Sequence, residues 1–157
     1  MNPEDLEKLK ETNQCPKCDL SGADLENANL RKANLEKANL EGANLWRANL
    51  RGANLRGANL VDANLKGAYL DGAYLENADL ENADLENADL RGAYLDGADL
   101  RHANLEDALL GGALLGSANL RHANLRGAYL GGVNLKEAFF CETTMPDGTK
   151  NNSDCPK

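Results

Sequence analysis

The chain has 157 residues, the length of one domain, and its net charge of −8 argues against a general nucleic-acid binder, which needs a basic footprint. Leu and Ala carry nearly all the apolar content, with two Val and no Ile to build a β-branched core, while Gly occurs 15 times. No apolar run approaches the ~18 residues that span a membrane, and no signal-peptide apolar region opens the chain.

Residues 2–13, NPEDLEKLKETN, predict a helix. Asn2 suits the N-cap, Pro3 the first helical position, and Glu4 and Asp5 complement the dipole in the first turn. Leu6 and Leu9 share a face that would cover the next element. CPKC at 15–18 has the spacing of a thiol–disulfide motif, whose redox type sits at a helix N-terminus after a strand, where the thiol pKa falls. Here the predicted helix comes before it, so a structural clip is the preferred reading of Cys15 and Cys18.

From Leu20 to Leu135 a Leu stands at every fifth position, and Phe140 takes the next slot. Two residues before each is Ala, from Ala23 to Ala138, with Val133 the one exception. A helix advances about 500° per five residues, so the leucines would wander around its axis. A straight strand would flip alternate leucines outward. Every Leu stays inside only if the chain turns a corner once per repeat, which makes a solenoid. The residue before each Ala is Gly at 11 of 24 repeats and Asn at Asn27, Asn77, Asn82 and Asn87. Both tolerate positive φ, as do Asp62, Asp107, His102 and His122, so Leu–x–(Gly/Asn)–Ala reads as a type II-like turn. Lys32, Lys37, Arg47 and Glu137 fit that turn badly, and a different turn type is expected there.

Over residues 18–140 the pattern A(N/D)LxG, as in ANLRGANLRGANL at 48–60, resembles the pentapeptide-repeat proteins. The resemblance implies an all-β fold, a right-handed quadrilateral β-helix with four repeats to a coil of about twenty residues. Some six coils would then rise about 29 Å at the ~4.8 Å strand spacing. The expected organisation is a helical cap at 1–17, the solenoid at 18–140 and a C-terminal cap at 141–157. At that end, Phe139, Phe140 and Met145 are expected as apolar cover, and MPDG at 145–148 as a type I turn. Across the coils that the resemblance implies, no bond can join the two ends, since disulfide Cα atoms lie within ~7 Å. That leaves Cys15 with Cys18, whose redox state stays open, and Cys141 with Cys155, expected to fasten the cap.

The same coil length stacks His102 on His122, with Cys141 near the next level. Zinc would suit two imidazoles and a thiolate; the preferred reading is that His fills a corner slot. Nine carboxylates between Asp71 and Asp99 face one base, Arg91. Some relatives that protect DNA gyrase are acidic rods resembling duplex DNA, so mimicry is the runner-up function. Glu76, Glu81 and Glu86, however, fall on successive faces, and seven bases within 31–66 interrupt any long acidic stripe. A solvated acidic face is expected instead. The slot before each Leu is Asn or Asp except at Tyr69, Tyr74, Tyr94, Leu109, Leu114 and Tyr129. These six would occupy two adjoining walls, either as an interaction patch or as rung-to-rung stabilisers. Trp46 reads as an isolated surface aromatic.

Nucleophilic catalysis has no support from three Ser, four Thr and two His without a loop to gather them, and no face carries the Thr rows of an ice-binding solenoid. The expectation is a non-enzymatic interaction rod with no cofactor and no metal, binding neither nucleic acid nor membrane. It would be a monomer or weak homo-oligomer that meets an unknown protein partner. A cytosolic mimic that binds gyrase or topoisomerase is the alternative, and a CxxC redox protein ranks third. Both termini resemble those of exported cyanobacterial pentapeptide-repeat proteins. That likeness implies a periplasmic or thylakoid-lumen chain from which a targeting segment has been removed, against a cytoplasmic alternative.

Overall fold

The computed structural model describes residues 1–157 and opens with the single helix α1, Pro3–Thr12. Asn2 caps it by accepting the Glu4 N–H on its side chain, and Asn13 ends it at φ 59°, donating its N–H to Leu9 C=O. Leu9 is buried and Leu6 packs beside it against the core, so the apolar face of α1 covers the first repeats. The helix also meets their open backbone edge. The Asn2 N–H donates to Asp19 C=O at 2.9 Å, and Asp5 Oδ2 accepts the Asp19 N–H at 2.8 Å.

Beyond Cys18 the chain is β-rich without long strands. Single parallel bridges join each residue before a core Leu to its counterpart twenty residues on, from Asp19–Asn39 to Asn119–Phe139. The repeat around Leu60 shows why five residues suffice. Leu60 N–H donates to Asp79 C=O at 2.7 Å, Asp62 N–H to Glu81 C=O at 3.0 Å, and Asn64 N–H to Ala43 C=O at 2.9 Å. Ala63 N–H closes the corner on Leu60 C=O at 3.0 Å, and Val61 N–H goes to the Oδ1 of Asn59 at 3.0 Å. All five donors are satisfied, as a backbone away from water requires. Inside, Leu and Ala from Leu20 to Ala128 form one continuous core, and Leu130, Val133 and Leu135 at the far end are only partly covered.

The corners correct one expectation. Lys32, Lys37, Arg47 and Glu137 take φ values of 58°, 57°, 53° and 62°, in the same left-handed region as Asn27 and Gly22. The following Ala closes each of these corners as elsewhere, Ala33 N–H to Leu30 C=O at 3.0 Å for example. A left-handed residue with a side chain costs about 1–2 kcal/mol. A different turn would forfeit the bonds to the neighbouring levels, such as Lys32 N–H to Arg51 C=O at 2.9 Å, and those bonds decide the conformation.

At the far end, β1 (Thr143–Thr144) and β2 (Lys150–Asn151) form an antiparallel hairpin. MPDG makes its turn, with Gly148 N–H on Met145 C=O at 2.9 Å and Gly148 at φ 85°. Thr143 is fully buried and donates its hydroxyl to Leu120 C=O at 2.7 Å. Phe140 and Met145 join the core, whereas Phe139 points outward beneath the Arg121 guanidinium, because it occupies the slot that Asn or Asp fills in other repeats. Disulfides link Cys15 to Cys18 and Cys141 to Cys155, with Cα separations of 5.3 and 4.7 Å.

Candidate interaction surface

The bridges set Asn49, Tyr69, Asp89, Leu109 and Tyr129 in one column and Asn54, Tyr74, Tyr94, Leu114 and Asn134 in the next. All six exceptions before a core Leu thus lie on two adjoining walls, while Phe139, which precedes Phe140, lies on the next. Tyr69 and Leu109 are each 41% exposed and Tyr129 61%, while Tyr74, Tyr94 and Leu114 are half-buried. Tyr74 and Tyr94 stack with ring centroids 4.9 Å apart. The Arg51 and Arg56 guanidinium groups lie over Tyr69 and Tyr74 at 4.7 and 4.3 Å. The Tyr129 ring lies against Gly131, where any Cβ would collide with it, and against Gly111, where a Cβ would meet it at 3.2 Å.

These substitutions remove more than polarity. Wherever Asn or Asp precedes a core Leu, its Oδ1 accepts the backbone N–H two residues on, as in Glu26 to Asp24, Arg31 to Asn29 and Arg126 to Asn124. Tyr and Leu offer no such acceptor. The N–H groups of Asp71, Glu76, Asp96, Gly111, Gly116 and Gly131 have no intramolecular partner. Three of these residues, Glu76, Asp96 and Gly116, line an open groove of ≈ 580 Å³ beside the Tyr74 wall. The sequence did carry this signal: the slot admits Asn and Asp but never Gln or Glu, which marks a short side chain reaching its own backbone.

The acidic segment is less solvated than its composition suggests. Arg51 pairs with Asp71, Arg56 with Glu76 and Lys66 with Glu86, each from one level away. Arg101 joins Glu81 at 3.1 Å and Asp99 at 2.6 Å. Asp89 is 7% exposed and held by Arg91, whose Nε and terminal nitrogen reach Oδ1 at 2.8 Å and Oδ2 at 2.6 Å. Burial pushes the Asp89 carboxyl up, but the Arg91 side-chain and backbone hydrogen bonds outweigh it and hold the group below its ordinary value. Asp99 is lowered by the same balance, with Arg101 as its partner. The Asp79, Glu81 and Asp99 oxygens come within 4.8 Å of one another, but the Arg101 guanidinium already bonds two of the three residues. Six of the nine carboxylates are therefore ion-paired.

The remaining candidates sit apart from the two walls. The His102 and His122 rings stack at 4.7 Å, and Cys141 is disulfide-bonded, so no thiolate completes a zinc set. Trp46 is half-buried beneath the Arg47 guanidinium at 4.4 Å. A cleft of ≈ 790 Å³ separates α1 from residues 24–31, with Leu9, Leu25, Ala28 and Leu30 in its wall. No helix is long and apolar enough to cross a membrane.

A family model for pentapeptide repeats matches residues 18–57, 58–97, 68–107, 98–136 and 108–145. HetL, a pentapeptide repeat protein involved in heterocyst differentiation regulation in the cyanobacterium Nostoc sp. strain PCC 7120, is 32% identical over 88% of this chain and 81% of its own, with a TM-score of 0.39. A pentapeptide repeat protein from the cyanobacterium Cyanothece 51142 is 29% identical over 90% of this chain and 97% of its own, with a TM-score of 0.41. Another from Nostoc PCC 7120 is 44% identical over 54% of this chain and 62% of its own, with a TM-score of 0.39. No curated protein matches the chain significantly. The repeats that build the fold are thus those of a family of non-catalytic solenoids with varied, often protein-interaction roles, and this chain belongs to the pentapeptide-repeat family.

Proposed function

We propose that the chain is a non-catalytic rod that binds another protein through the wall pair bearing Tyr69, Tyr74, Tyr94, Leu109, Leu114 and Tyr129. The observation that carries this reading is the confinement of all six Tyr and Leu replacements before a core Leu to two adjacent columns, with Tyr69, Leu109 and Tyr129 well exposed. A contiguous exposed apolar patch on a polar surface marks an interaction site. The rod itself is proposed as a right-handed quadrilateral β-helix of six coils at 18–140, capped by residues 1–17 and 141–157. Its support is the twenty-residue bridge offset, which makes four pentapeptides to the circuit. Two disulfides and no free cysteine favour an oxidising compartment, a periplasm or thylakoid lumen.

The test places a photo-crosslinking residue at Leu109 and, as a control on a polar wall, at Asn104. Extracts of the native compartment should give a discrete adduct from Leu109 and none from Asn104. Equal labelling at both positions, or none at either, would overturn the proposal.

A further inference from the structure

We infer that the Tyr/Leu wall pair takes a second copy of this chain, docked side by side with its long axis reversed; this rests on reading those walls as an interaction surface.

Three observations select that occupant. The first is charge. A chain of net −8 repels its own copies, yet residues 108–120, ALLGGALLGSANL, carry no ionisable side chain and include Leu109 and Leu114. Copies can approach there with the least electrostatic cost. The second is period. Levels repeat about every 4.8 Å along the axis, whereas same-side groups of an extended peptide recur about every 6.8 Å, so a peptide laid along the wall falls out of step within two levels. Another rod of the same rise stays in step at every level, setting its own Tyr and Leu side chains against these walls.

The third is charge distribution, which chooses the reversed axis. Between Asp71 and Asp99 stand nine acids and one base. With the four bases paired to them, Arg51, Arg56, Lys66 and Arg101, that region is still net −4, while from His102 to Glu137 three bases balance three acids. Parallel copies would align acidic segment with acidic segment. Reversal about the middle of the patch sets the level of Tyr69 and Tyr74 against the partner's level of Tyr129 and Asn134, relieving that repulsion. The patch covers four levels, about 19 Å of axis. That is small beside the ~800 Å² per partner of a stable complex, so the pairing is reversible and appears at high protein concentration.

The experiment uses the full chain with both disulfides intact. Sedimentation equilibrium should show the apparent mass rising towards twice that of the monomer as concentration approaches the millimolar range. Combining Leu109→Asn, Leu114→Asn and Tyr129→Asn restores the repeat pattern and gives Gly111, Gly116 and Gly131 back their acceptors, so this variant folds and should remain monomeric throughout. A spin label at Glu76 should broaden partner NMR signals around Gly131 to Lys136. Wild type that stays monomeric, or a triple variant that associates like wild type, overturns the pairing; broadening centred on residue 76 of the partner overturns the reversed axis. If wild type stays monomeric while the Leu109 crosslinker still captures a different protein, self-pairing fails and the interaction-surface reading stands. If neither occurs, both fail.

Discussion

Asn59 Oδ1 accepts the backbone N–H of Val61 at 3.0 Å, and its amide nitrogen reaches Asn39 Oδ1 one level away at 3.3 Å. One side chain thereby satisfies a corner donor and ties two levels together. Asn59→Ala should cost about 0.5–1.5 kcal/mol, while Asn59→Asp, which keeps the acceptor, should cost less. Urea denaturation of the two variants checks the ordering. By the same reasoning Tyr129→Asn should be neutral or stabilising, although it deletes an aromatic ring.

Core depth should show in the leucines. Leu85 is fully buried, and Leu85→Ala should cost about 2–5 kcal/mol. Leu135 is only partly covered at the end of the core, and Leu135→Ala should cost clearly less. Equal costs in thermal or chemical unfolding would contradict the packing gradient.

The corner conformation makes an unusual prediction for three bases. Lys32, Lys37 and Arg47 hold φ values of 53–58° that glycine adopts freely. Replacing each with Gly should stabilise the chain by about 1 kcal/mol, the left-handed cost relieved less the extra freedom of the unfolded glycine. Gly72→Ala should act in the opposite direction, because φ is 67° there even though a Cβ would meet nothing within 4 Å.

Acid should weaken the fold through Asp89 and Asp99. Both carboxyls lie below their ordinary value in the folded chain, so their contribution is present above the unfolded Asp pKa of about 3.9 and is lost as pH falls through the lowered folded values. Asp89→Asn keeps the Oδ1 acceptor for Arg91 N–H but removes the charge. It should cost up to about 1 kcal/mol at neutral pH and flatten the acid limb of a stability–pH curve.

Much of this was legible in the sequence. The Leu/Ala core, the helix start at Asn2 and Pro3, and the glycine corners follow from side-chain size and backbone freedom, which are properties of single residues. The twenty-residue circuit was not legible from the residues alone, since a corner every five residues suits any number of walls. Nor were the left-handed Lys32, Lys37, Arg47 and Glu137, because the bonds that hold them come from levels about twenty residues distant. The unpaired N–H groups beside the Tyr/Leu walls needed the Asn59-type bond to be seen before its loss at six repeats had meaning. The C-terminal hairpin has two residues per strand, too few for any periodic pattern.

Because bonds run between counterparts twenty residues apart while corners come every five, this architecture has two independent adjustments. Duplicating twenty residues lengthens the molecule and returns every wall to its bearing. Duplicating five, anywhere between α1 and Tyr69, leaves each donor an acceptor of the same kind yet swings the whole Tyr/Leu face a quarter of a circuit away from the helix. A lineage built this way can re-aim a surface by small tandem duplications, without composing a new one.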